Sequence, residues 1–237
     1  NYLIEKYRDV WNWREIGFNV KINRNEELIV KYRNKWDWET LGSREDIIWS
    51  LPLIGEFKSN RELFKGLSKN KNVPWSDELI NLYRDNWNWQ ELGENEGIKW
   101  TESNVTDNFQ EDNLWKGISR NRNFKCSVDF INKHYNSLDW EYFSANSNII
   151  WTESLINAYS NENRFWNGLS RNKGITWSTN FIDKYISNWT WPSLGYNIKW
   201  TDDLIEKYQG IPSLWTTLEG GGSGISSNEC MIWSELL

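Results

Sequence analysis

The chain has 237 residues, 25% of them charged, 38% hydrophobic and 19 of them Trp, with a net charge of -6; no stretch approaches the roughly 20 apolar residues of a membrane span, so no membrane partner is expected. An aromatic fraction of 16% excludes a disordered chain. One His and two Cys exclude a disulfide-rich scaffold and leave too few ligands for a zinc site, so neither metal nor cofactor is expected, and the acidic balance disfavours a protein built mainly to hold nucleic acid.

The chain opens on Asn1-Tyr2-Leu3-Ile4-Glu5 with no basic run, cleavage site or lipidation motif, and its one Met is Met231. It reads as a fragment or a processed piece, which leaves the compartment open.

From here one frame recurs: an aromatic anchor, Ser or Thr, then Leu-Ile and Tyr. Arg24 holds the anchor place in an early unit, where Leu28, Ile29 and Tyr32 keep the frame, and the anchor returns at Trp49, Trp75, Trp100, Cys126, Trp151, Trp177, Trp200 and Trp233. Successive anchors are 25, 26, 25, 26, 25, 26, 23 and 33 residues apart, so two kinds of unit alternate. The shorter kind carries Trp-x-Trp, as at Trp11-Asn12-Trp13, Trp36-Asp37-Trp38, Trp87-Asn88-Trp89 and Trp189-Thr190-Trp191. The longer kind carries an apolar-aromatic pair (Leu63-Phe64, Leu114-Trp115, Phe165-Trp166, Leu214-Trp215) and then a basic loop. The period is a pair of units, because Ser68, Ser119 and Ser170 stand 51 residues apart.

Each unit predicts two short helices. Around Trp75, Ser76 is an N-cap, Asp77 and Glu78 put negative charge in the first turn, and Leu79, Ile80 and Tyr83 share one face. The second helix has Asn88 as cap, Glu91 completing a capping box, Trp87 as an apolar staple onto Leu92, and Gly93 as its stop. Between units runs a short extended piece such as Ile98-Lys99-Trp100, preceded by an Asn that recurs at Asn19, Asn70, Asn95, Asn121, Asn146, Asn172 and Asn197 while Arg44 breaks the series. Asn can bond the backbone of its own turn and of a neighbouring repeat, which predicts a ladder. Units this small bury their apolar faces only by stacking, so the expected fold is an all-α solenoid of two-helix repeats of about 25 residues, forming one array over 1–237. A leucine-rich-repeat-like α/β coil, with the Ile-x-Trp pieces as strands, is the alternative. The stretch 219–227, rich in Gly and Ser, reads as a loop insertion that lengthens the last step.

The pattern Trp-Asp-Trp, Leu-Gly/Ser-x-Asn, Ile-x-Trp-Ser/Thr and Glu-Leu-Ile-x-Lys-Tyr resembles tandem Trp-rich repeats of largely uncharacterised bacterial and large-DNA-virus proteins. The resemblance implies a repeat scaffold and transfers no catalytic residue.

Residues able to carry chemistry have structural readings. Cys126 fills an anchor place and reads as a packing residue, too far along a stack from Cys230 for a disulfide. His134 falls where other units carry Tyr, so it replaces a ring, and no nucleophile-His pair emerges. Glu26-Glu27, Asp77-Glu78 and Asp202-Asp203 sit at helix starts, where the dipole favours them. The sharpest candidate site is a basic ladder of Lys69, Lys71, Arg120, Arg122, Arg171 and Lys173, in loops recurring once per pair of units. The expected function is a non-catalytic scaffold for protein-protein interaction or assembly. The alternative is binding of an anion or single-stranded nucleic acid by the basic ladder. Glycan recognition would need open rings at Trp11, Trp36 and Trp87.

Overall fold

The computed structural model describes residues 2–19, 21–22, 24–108, 112–215 and 224–228. It divides into two compact units, Asn1–Asn121 and Arg122–Leu237. Among the described residues there are helices and turns and no strand. Ile98-Lys99-Trp100 and its counterparts enter no sheet, which leaves the leucine-rich-repeat alternative without its strands. No helix of the described residues is long and apolar enough to cross a membrane.

Helix entry follows the sequence. Asn25, Ser50, Ser76, Ser127, Thr152 and Ser178 each accept a backbone N–H from the third residue of the first helix in their repeat, at 3.0 to 3.3 Å. Asp37, Asn60 and Asn88 do the same for second helices. Each bond satisfies a donor that the helix leaves orphaned. Of the capping box expected at Asn88, the half in which Asn88 accepts the Glu91 N–H forms, while the Asn88 N–H donates to Ser68 Oγ at 3.1 Å, a hydroxyl in the last turn of the preceding second helix. Thr190 N–H donates likewise to Ser170 Oγ at 3.0 Å.

The core of both units is a column of first-helix side chains. Ile29, Ile54 and Ile80, and Ile131, Ile156 and Ile182, are at most 1% exposed. Second helices pack in pairs, Trp38–Gly42 on Arg61–Lys69 and Trp89–Glu94 on Asp112–Arg120 in one unit, Trp140–Ser144 on Phe165–Leu169 in the other. Gly93 lies inside its helix rather than ending it, and its role is close approach. A Cβ there would fall 2.7 Å from Leu114 O, and one on Gly117 would run into the Gln90 carbonyl.

Several Trp residues do two jobs, packing in the core and donating the indole N–H to a carbonyl at or just after the end of the first helix. The buried indole N–H groups of Trp49, Trp151 and Trp177, by contrast, meet no acceptor among the described residues. Trp36, Trp87 and Trp189 donate to Ile29, Ile80 and Ile182 O at 2.9 to 3.1 Å. Trp13, Trp38 and Trp140 donate to Arg8, Arg33 and Tyr135 O. Arg24, the anchor without a ring, sends Nη1 to Asn19 O, five residues back as Trp75 Nε1 reaches Asn70 O.

Rings also link one repeat to the next. The second-helix ring of a repeat is a knob that packs on the first-helix ring of the following repeat: Trp38 on Phe57 at 4.5 Å, Trp140 on Tyr159 at 4.7 Å and Trp191 on Tyr208 at 5.4 Å. Where the receiving repeat has Trp-x-Trp, the knob enters a two-ring socket. Phe64 lies 5.2 and 4.7 Å from Tyr83 and Trp87, and Trp166 lies 5.1 and 4.9 Å from Tyr185 and Trp189.

The Asn ladder forms. Asn70 Nδ2 donates to Gly42 and Arg44 O at 2.9 and 2.8 Å, Asn95 to Ser68 and Asn70 O at 2.9 and 3.0 Å, and Asn121 to Gly93 and Asn95 O at 2.8 and 3.2 Å. In the second unit Asn172 reaches Ser144 and Asn146 O at 2.8 and 2.9 Å. The Oδ1 atoms of Asn70, Asn95, Asn146 and Asn172 accept an N–H two residues on, so each side chain clamps its own turn as well. Asn197 departs and bonds Ser193 O in its own helix. Arg44 does not break the link, since its Nη1 reaches Phe18 O in the preceding repeat at 3.1 Å.

The frame resumes at Gly224, inside the stretch expected to be an insertion. Ile225 is fully buried, and Asn228 donates to Gly195 and Ile198 O at 2.6 and 2.7 Å as a ladder Asn does. Residues 219–223 of that stretch, with Cys230 and the anchor Trp233, lie outside the described residues.

Candidate functional site

The expected basic loops begin within second helices: Ser68 and Lys69 close Arg61–Lys69, Ser119 and Arg120 close Asp112–Arg120, and only Ser170 and Arg171 follow their helix, Phe165–Leu169. The uncharged residues of all three are structural. Ser68, Ser119 and Ser170 are fully buried, as are Asn70, Asn121 and Asn172 to within 1%. Only the basic side chains reach outward, and three of them meet carboxylates. Lys69 Nζ lies 2.7 Å from Glu39, which Lys65 also contacts, and Lys71 Nζ lies 2.7 Å from Glu96. Hydrogen bonds from Lys65 and then Lys69 hold the Glu39 carboxyl below its usual range, and Glu96 raises Lys71. In the second unit Arg171 and Arg164 share Glu141, at 2.9 and 2.7 Å, and the Glu141 side chain is only 10% exposed. Arg164 reaches it from a left-handed backbone, φ 60°, a conformation that costs a residue with a Cβ about 1 kcal/mol.

Of the remaining ladder residues, Arg120 is partly buried, while Arg122 and Lys173 are exposed and meet no carboxylate among the described residues. Half of the predicted cationic edge, Lys69, Lys71 and Arg171, is thus paired charge, each pair worth little individually because solvent screens it.

A second polar series escaped sequence reading. Tyr32 and Lys31 both donate to Glu5, Tyr208 and Lys207 to Asp183, and Tyr185 to Asn157 Oδ1 at 2.8 Å. Each acceptor sits on the first helix of the preceding repeat. Lys207 and then Tyr208 hold Asp183 low, while burial, reinforced by the bond to Asp183, pushes the Tyr208 hydroxyl well above the ordinary phenol value. The signal was present as Lys-Tyr at the end of first helices, but the acceptor varies among Glu, Asp and Asn and so lacks a motif.

The other candidates fall into packing. Cys126 is partly buried at its anchor place, and the His134 ring lies 4.9 Å from that of Phe130. Trp36 and Trp87 are 6% and 5% exposed, which removes two of the three rings a glycan platform would use. Among the described residues, no group of three or more His, Cys, Asp or Glu is placed to hold a metal ion. A depression lined by Glu56, Phe57, Asn60, Arg61 and Glu62 lies at the turn between two helices, and Glu56 there already pairs with Arg33 at 2.9 Å. No family model, curated protein or solved structure matches the chain.

Proposed function

We propose that the chain is a non-catalytic solenoid of two-helix repeats that acts as a scaffold for protein-protein contact. The observation that carries this reading is the Asn ladder: the residue that recurs most regularly is buried and spends both amide hydrogens on the preceding repeat. Recurring Trp, Gly, Ser and Tyr are likewise engaged in joining repeats, so the sequence invests its regularity in stacking, as repeat scaffolds do. The likeness to Trp-rich repeats points the same way. Small-angle scattering tests the array: a radius of gyration clearly above the roughly 18 Å of a globule of this length is expected, and a value at 18 Å would overturn it.

Binding of an anion or single-stranded nucleic acid is the second reading, and it rests on Arg122 and Lys173. The pairing of Lys69, Lys71 and Arg171 weighs against it. Titration with a labelled oligonucleotide should show no binding that Arg122→Glu with Lys173→Glu removes; a salt-dependent affinity lost in that variant would favour the second reading.

A further inference from the structure

At one junction inside the first unit, the polar series that joins first helices is missing. Tyr32, Tyr159, Tyr185 and Tyr208 each donate to a side chain on the preceding first helix, Glu5, Asn132, Asn157 and Asp183. Phe57, which has no hydroxyl, is matched by Val30 in the acceptor place. Tyr83 keeps its hydroxyl, yet its acceptor place is Gly55, six residues after Trp49 as Asn157 is after Trp151. The Tyr83 hydroxyl lies 3.3 Å from where a Cβ on Gly55 would stand, and it meets no acceptor among the described residues.

The ion pair of the series is missing there too. Lys184, seven residues after its anchor, pairs with Glu153, two residues after the preceding one. Leu82 and Leu51 hold those two places here, 69% and 55% exposed. With Pro52 exposed beside them, and Ile48 90% exposed just ahead of the anchor, the outer face of Leu51–Glu56 and Asp77–Leu82 is apolar where other junctions are charged. Described repeats flank this junction on both sides within the unit, so the patch is no open end of the stack.

Its surroundings are acidic. In the places of Leu51 and Pro52, the repeat before carries Glu26 and Glu27 and the repeat after carries Asp77 and Glu78, all exposed and in no ion pair among the described residues. Lys31 and Arg33 of the repeat before are already held by Glu5 and Glu56. An exposed apolar patch with a polar rim marks a contact surface, and the sign of the rim states which charge the contact brings.

We propose that this patch docks a segment of another protein in which an apolar side chain is flanked by Lys or Arg. The apolar side chain seats between Leu82 and Leu51 over Gly55, a backbone carbonyl beside it accepts the Tyr83 hydroxyl, and the basic flanks meet Glu26, Glu27, Asp77 and Glu78. The same acids repel a nucleic-acid backbone. The docking deepens the scaffold reading above and rests on it.

Selection of a displayed library of random peptides on the 237-residue chain, with fluorescence anisotropy of the recovered peptides, tests this. The peptides are expected to carry an apolar residue between Lys or Arg and to bind more weakly as salt rises. Leu51→Glu with Leu82→Lys restores the ion pair found at the other junction and should weaken binding more than about tenfold, through the lost apolar contact. Gly55→Asn supplies the missing acceptor and should weaken binding without lowering the thermal midpoint, and Tyr83→Phe should weaken it about fivefold. Failure to recover any peptide overturns the proposal, as do peptides without basic flanks or binding indifferent to the Leu51 and Leu82 exchange. Self-association in sedimentation velocity that the same exchange abolishes also overturns it, because the occupant is then a second copy. Circular dichroism of each variant guards against misfolding, and if the double exchange does not fold, Gly55→Asn and Tyr83→Phe decide. Failed docking in a chain whose radius of gyration exceeds the roughly 18 Å of a globule removes this site and leaves the repeat reading standing.

Discussion

Asn95 shows what one residue can hold. Its amide bonds Ser68 and Asn70 O, its oxygen takes the Gly97 N–H, and it is 4% exposed. Ala at that position leaves two carbonyls and an N–H without their partner, so Asn95→Ala should cost about 3 kcal/mol in urea unfolding. Lys173→Ala, on the exposed part of a basic loop, should stay within about 0.5 kcal/mol. Chemistry rather than identity explains the exceptions. Arg44 reaches Phe18 O with a guanidinium where the frame calls for an amide, and Arg24 replaces an indole N–H with Nη1. Both positions look like interruptions in the sequence and act as members of the series in the structure, because a carbonyl needs a donor and not a particular side chain.

At the scale of the helix, glycine sets how closely elements approach. Gly117 faces the Gln90 carbonyl and the Gly93 Cα across two second helices. Gly117→Ala should therefore destabilise by about 3 kcal/mol despite the better helix propensity of Ala. Gly210 meets nothing within 4 Å, and Gly210→Ala is expected to stabilise by about 0.5 kcal/mol through the unfolded chain. A pair of thermal melts checks both. Sequence reading placed Gly93 at a helix end because Gly commonly stops helices, and only the packing distinguishes a stop from a contact. The motif Gly224-Ile225-Ser226-Ser227-Asn228 was legible, since it repeats Gly117-Ile118-Ser119-Arg120-Asn121 with Ser in place of Arg. Counting from Trp anchors hid it behind the insertion.

Across the whole molecule, charge pairing gives a pH dependence with a definite sign. Glu5, Glu39 and Asp183 are held below their ordinary values by Lys partners. A depressed folded value means stability that is complete above the unfolded carboxylate value and lost as pH falls through the folded one. Urea midpoints should therefore decline below about pH 4.5, and Glu39→Gln should flatten that decline. Tyr208 runs oppositely, because its raised hydroxyl keeps its proton in the folded state while the unfolded chain ionises near 10. Stability is lost as pH rises past that value, which absorbance at alkaline pH can follow alongside unfolding.

The amino-acid sequence by itself determined the repeat period, the helical class, the N-caps and the Asn ladder, because each depends on local spacing or on a residue recurring at a fixed interval. It also located the basic loops. What the loops and rings do was decided by tertiary structure. Glu39 and Lys69 meet across 30 residues, Ser68 caps a helix that starts 20 residues later, and the rings of Trp166 and Trp189 meet between repeats. A charge counts as a site or as a solvated pair, and a ring as open or buried, according to the neighbour it meets. That neighbour comes from another repeat, so only the packed chain could name it.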